Sequence, residues 1–106
     1  MAGVLAVVES CSGRRAELAG KPSGWLAGRI LQDLAPAGGP ELEAVRGRTI
    51  MIGDRLDSDM ALGHAAGIAT LLVLTGCTTP AEAASAQPQP TFVATSLGSL
   101  RPSSRL

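Results

Sequence analysis

Residues 49–52, Thr–Ile–Met–Ile, form an apolar run with no polar alternation. A strand of that pattern is one buried on both faces, as in a parallel sheet covered on each side. A helical stretch follows at 59–66, then Gly67 in the place of a helix C′ residue, then a second apolar run, "ATLLVLT", at 69–75. Two such strands joined through a helix imply a right-handed crossover between parallel neighbours.

The rest of the chain continues the alternation. Residues 2–12 read as a helix ended by Gly13, and 16–20 as a short, weak strand. Lys21–Pro22–Ser23 opens a helix, with proline in its first turn and Trp25, Leu26, Ile30, Leu31 and Leu34 as its apolar stripe. "APAGGP", 35–40, is a loop, and 41–46 is a short helix or turn. A short helix at 80–85, a strand at 91–95 and a turn capped by Ser96 and running to Leu100 complete the order. Residues 101–106 read as a frayed tail. The reading is an α/β fold with a mainly parallel sheet.

Composition narrows the function classes. Nine Lys plus Arg balance nine Asp plus Glu, and aromatic residues make up 2% of the chain. Neither a nucleic-acid footprint nor a basic membrane patch is expected from that balance, and stacking platforms are scarce. No apolar run approaches the roughly 20 residues that span a bilayer. The start of the chain lacks the basic leading segment of a signal peptide. Two cysteines, Cys11 and Cys77, make no disulfide framework and read as small packing residues of a reduced, cytoplasmic protein.

The chemistry concentrates in "IMIGDRLDSDMALGHAAG", 50–67. Ligands of open parallel sheets bind beyond the carboxyl ends of strands, and Asp54 sits there, one residue past Gly53. Asp59 opens the following helix, and a chain reversal over 55–58 can return it to the same strand end. Two carboxylates so placed suit a hard cation such as Mg²⁺. Asp57 or Ser58 fits the helix cap, with Asp57 otherwise on solvated surface. Lys21 is the only lysine against eight arginines, and its compact charge suits a phosphate or a carboxylate cluster. His64 reads as surface or packing, Trp25 as core, and Arg55 as the partner of a nearby carboxylate. Gly63 and the alanines around it allow close helix–sheet packing.

These residues resemble the haloacid dehalogenase (HAD) superfamily of phosphatases. The nearer likeness is to the branch of phosphoglycolate, 4-nitrophenyl and pyridoxal phosphatases. "GKPS", 20–23, matches that branch's third motif. The Gly–Asp–Arg–Leu–x–Ser–Asp run of 53–59 matches the fourth, and "GIATLLVLTG", 67–76, continues it. The resemblance covers about residues 5–100. It implies a Rossmann-like, three-layer core with a mainly parallel sheet, and Mg²⁺-dependent hydrolysis of a small phosphorylated metabolite. In that family an aspartate attacks phosphorus, a second aspartate two residues on moves the proton, and Mg²⁺ bridges nucleophile and phosphate. Carried over, Asp54 is a metal ligand, Asp59 supports the metal shell, and Lys21 offsets charge on the nucleophile and phosphoryl oxygens.

The family's first motif is an apolar strand ending in Asp–x–Asp–Gly. The only Asp–x–Asp here is Asp57–Ser58–Asp59, with no strand before it and no glycine after it. Neither the second motif nor the cap has a counterpart. Residues 1–100 therefore read as the C-terminal part of the core domain, its N-terminal strands and cap missing, and inactive alone. Sheet strands without their neighbours are expected to associate with a second copy or another partner through an exposed edge. The alternative function is a non-catalytic module that binds a partner through that edge. A receiver domain phosphorylated on Asp54 fits less well, because the one lysine precedes the aspartate.

Overall fold

The first helix, α1 (Ala2–Ser12), ends where Gly13 takes a left-handed φ of 67°. The computed structural model describes residues 2–101 of the 106-residue chain. Then come α2 (Gly24–Leu34), α3 (Gly39–Arg46), β1 (Ile50–Gly53), a π-helical turn (Leu56–Met60) and α4 (Ala61–Ala66). After these follow β2 (Ala69–Val73), α5 (Pro80–Ser85), β3 (Phe92–Ala94) and a 3₁₀ turn (Leu97–Ser99). The strands form one parallel sheet in the order β1-β2-β3, with Ile52 opposite Leu71 and Leu71 opposite Phe92. The α/β class and parallel sheet read from the sequence are thus present.

Local chemistry explains most boundaries. Ser23 caps α2 by accepting the Leu26 N–H at 3.1 Å. Thr79 and Glu82 form a reciprocal capping box on α5. Gly67 ends α4 at φ 67°, the left-handed geometry expected of it. Ser96 caps the 3₁₀ turn through the Ser99 N–H. Beyond the ladder itself, Thr70 and Thr91 each donate a backbone N–H to the other's hydroxyl at 3.0 Å, tying the start of β2 to the residue before β3.

The core has two parts. Ala27 and Leu31 of α2 meet Leu62 and Ala66 of α4, with Met51 of β1 against them. Met60, Leu72 and Ala83 form the second cluster, below the π turn. Full burial of a side chain such as Leu72 stabilises by roughly 2 kcal/mol. Gly63 lets α4 lie on the sheet: a Cβ there would overlap Thr70 Cγ2 and stand 3.2 Å from Met51 Cβ.

Several expectations are corrected. Residues 16–20 form no strand, so the sheet has three strands rather than four. Pro22 lies in a turn closed by the Ser23 N–H on the Gly20 carbonyl, outside α2. Trp25 is 58% exposed, because the buried stripe of α2 runs through Ala27 and Leu31, about half a turn out of phase with it. Cys11 and Cys77 are exposed free thiols rather than packing residues. Neither Asp57 nor Ser58 caps a helix, because the chain enters α4 through the π turn.

The strand β1 is not buried on both faces. Ile50 and Ile52 are each 42% exposed, because β1 is an edge of the described sheet while β2, in the middle, is covered. Alternation puts Ile50 and Ile52 on the face opposite Met51, and register adds Phe92, 57% exposed, to that face. Except for Arg101, the tail expected over 101–106 lies outside the described residues.

Candidate active site

At the carboxyl end of β1 the chain passes Gly53 and turns at Asp54. The turn closes as a π helix: the Met60 N–H reaches the Arg55 carbonyl at 3.1 Å, five residues back. Such single π turns recur at functional sites. This one brings Asp59 back under the strand end, where it is 4% exposed. Gly53 makes room for it, since a Cβ at that position would overlap the Asp59 carboxyl group.

Asp59 joins three parts of the chain. Its Oδ2 accepts the backbone N–H groups of Asp54 and Arg55, each at 3.2 Å. Its Oδ1 accepts from Lys21 Nζ at 2.5 Å, across 38 residues of sequence. Burial pushes the Asp59 carboxyl pKa up. The Lys21 hydrogen bond and charge, together with the two backbone N–H groups, outweigh burial and hold it below its ordinary 3.8. The lysine side chain remains 47% exposed while its partner's is 6% exposed, so the ammonium lies at the boundary with solvent.

Asp54 is held differently. Its backbone carbonyl accepts the Thr78 hydroxyl at 2.6 Å, and its Oδ2 accepts the Cys77 N–H at 3.2 Å. Its Oδ1 has no hydrogen bond among the described residues. The partners Gly76, Cys77 and Thr78 lie on the loop after β2. The sequence reading made Cys77 a packing residue and gave Gly76 and Thr78 no site role, although all three sit beyond the carboxyl end of the neighbouring parallel strand, where ligands of such sheets gather.

The other candidates lie outside this network. Asp57 is exposed and pairs with Arg55 through two contacts of 3.0 Å. The hydrogen bond from Arg55 lowers its pKa, and the same bond raises that of Arg55. His64 is exposed on α4. An open depression of about 320 Å³ beside Asp54 is lined by Arg55, Leu56, Asp57, Cys77, Thr78 and Glu82. Among the described residues, no three His, Cys, Asp or Glu side chains gather to hold a metal. Of the three residues singled out from the sequence, Lys21 and Asp54 both bond to Asp59, so the fold does bring them together.

Comparison with known proteins gives this geometry a family. The HAD-hydrolase-like family matches residues 18–100. Chronophin of Mus musculus is 41% identical over 80 residues, which cover 74% of this chain and 24% of that protein. The chain therefore spans about a quarter of the length of the curated relatives it matches. The 4-nitrophenylphosphatase of Thermotoga maritima superposes with a TM-score of 0.66 at 37% identity, over 91% of this chain and 34% of that one. A glycerol phosphate phosphatase of Mycobacterium tuberculosis, solved in complex with magnesium, gives 0.62 at 28% identity, over 87% and 26%. The family match runs over most of the chain and agrees with the parallel α/β sheet, so this chain belongs to the HAD-hydrolase-like family.

Proposed function

We propose that this chain supplies the lysine and the metal-side acid of a Mg²⁺-dependent phosphomonoester hydrolase acting on small phosphorylated metabolites. The observation that carries the reading is the Asp59 carboxylate, with Lys21 on one oxygen and the Asp54 and Arg55 N–H groups on the other. Asp59 is thereby a positioning residue. It fixes where the lysine ammonium and the Asp54 turn stand relative to each other.

The donor set fits magnesium. Asp54 Oδ1 is an oxygen with no protein donor among the described residues, and hard cations take oxygen ligands while keeping waters and a substrate phosphate oxygen. Bound there, Mg²⁺ would neutralise charge on the phosphoryl oxygens. Lys21 adds a second positive charge, and fixed charges of this kind favour a transition state more anionic than its ground state. The magnesium complex of the mycobacterial glycerol phosphate phosphatase supports the choice of metal. The free thiols of Cys11 and Cys77 support a cytoplasmic setting.

A covalent phosphatase route needs a nucleophile. No strand in this sequence ends in Asp–x–Asp, so the chain by itself should release no 4-nitrophenol from 4-nitrophenyl phosphate with Mg²⁺ present. A rate above buffer that falls in Asp54→Asn would overturn that part. The metal part is tested separately with Mn²⁺ as a paramagnetic probe. Broadening of amide signals centred on Asp54 and Arg55 and lost in Asp54→Asn is expected; broadening spread evenly over the acidic surface counts against it.

A further inference from the structure

We infer that the loop Gly76–Thr78, after β2, is the device that aims the Asp54 carboxylate, with Thr78 as the positioning residue. The inference rests on the reading of Asp54 as a metal ligand and adds what holds that ligand in place. Three of the four polar groups of Asp54 are fixed by protein. The N–H donates to Asp59, the carbonyl accepts from Thr78, and Oδ2 accepts from the Cys77 N–H. Only Oδ1 is left without a hydrogen bond among the described residues, so the loop decides which oxygen is presented.

Two independent features show that loop and aspartate are fitted to each other. The Thr78 side chain is buried, with the residue 6% exposed, and its hydroxyl spends its donor on the Asp54 carbonyl. Gly76 lies against the carboxylate so closely that a Cβ there would overlap Asp54 Oδ2, Cβ and Cγ. Any other residue at 76 would push either the loop or the carboxylate away. The contact crosses 24 residues of sequence and joins the ends of two adjacent parallel strands. It is therefore a tertiary lock on the Asp54 backbone rather than a local turn preference, and the Cys77 N–H of the same loop holds the side chain.

Outer partners of metal ligands orient them, and their loss typically weakens metal binding about 10–100-fold. The test follows Mn²⁺ binding to the full chain by amide broadening, with circular dichroism on every variant. Thr78→Val keeps shape and removes the hydroxyl, so Mn²⁺ affinity at Asp54 should fall by about tenfold. Thr78→Ser restores the hydroxyl and should restore the affinity. Unchanged affinity in Thr78→Val, with Asp54→Asn abolishing binding, overturns the role of the loop and leaves the ligand reading standing. Equal loss in Thr78→Ser also overturns it, since the hydroxyl would not be the cause. Broadening alike in wild type and Asp54→Asn removes Asp54 as ligand and takes this inference with it. If Thr78→Val does not fold, Gly76→Ala decides: weakened binding supports the fitted contact, and wild-type binding overturns it.

Discussion

Asp59 carries more of the site than its place in the sequence suggests. A carboxylate buried without partners would be expelled or protonated, yet three donors keep this one charged. The sign of its pH dependence follows. Its folded pKa lies below the ordinary 3.8, so its stabilisation is fully present above that value and is lost as pH falls through the lower, folded one. Asp59→Asn should remove that acid limb from a plot of unfolding free energy against pH. It should also cost on the order of 2 kcal/mol near neutrality, the scale of a charge-assisted hydrogen bond lost with its partners left unpaired. Urea melts between pH 3 and pH 7 check both; an unchanged acid limb would show that Asp59 does not titrate with unfolding. Lys21 and Asp59 stood out in the sequence as an isolated lysine and a doubled acid, and the fold brings them into contact. The dependence of Asp54 on Thr78 did not stand out, because a contact across 24 residues leaves no local pattern.

Helix α4 meets the sheet through the absence of a side chain. Alanine at position 63 would gain roughly 1 kcal/mol of helix propensity. Its methyl would meet Thr70 Cγ2, which cannot swing aside because the Thr70 hydroxyl accepts the Thr91 N–H. Overpacking of this kind costs typically 1–3 kcal/mol. Gly63→Ala should therefore destabilise on balance, and adding Thr70→Ser, which deletes the obstructing methyl, should recover most of the loss. Denaturant melts of the two singles and the double resolve the coupling. A fully additive double variant would place the obstruction elsewhere. The tight packing was legible in the run of Gly and Ala over 61–67. The π entry into the helix was not, because an acid, a serine and an acid in sequence fit an ordinary helix start equally well.

The described residues form an extended body for their number. Its Cα radius of gyration is 16.8 Å, against about 13 Å for a compact 100-residue domain. Helix α1 buries none of its residues, and Val4, Val7 and Val8 are 57–65% exposed. With Ile50, Ile52 and Phe92 open on the sheet, much apolar surface faces solvent. Sedimentation equilibrium should find the chain self-associating at micromolar concentration, and Ile52→Lys should shift it toward monomer. A monomer with a sharp two-state melt would refute this. Here lies the reason β1 was misjudged. Whether a strand is central or at an edge depends on what pairs beside it. The apolar pattern of Thr49–Ile50–Met51–Ile52 records a demand for cover on both faces, and the described residues leave one face open.

The π turn makes part of this site a matter of residue count. Each residue in a helix rotates the next by about 100°, so one residue fewer between Gly53 and Ala61 would swing Asp59 away from both Lys21 and the Asp54 N–H. Exposed positions such as Arg55 and Asp57 can change side chain while the backbone still returns Asp59 to its place. Insertions and deletions in the same seven residues have no such latitude. Sequence drift in this segment should therefore appear as exchanged letters at a constant spacing, and a protein engineer shortening the loop would lose the lysine and the aspartate together.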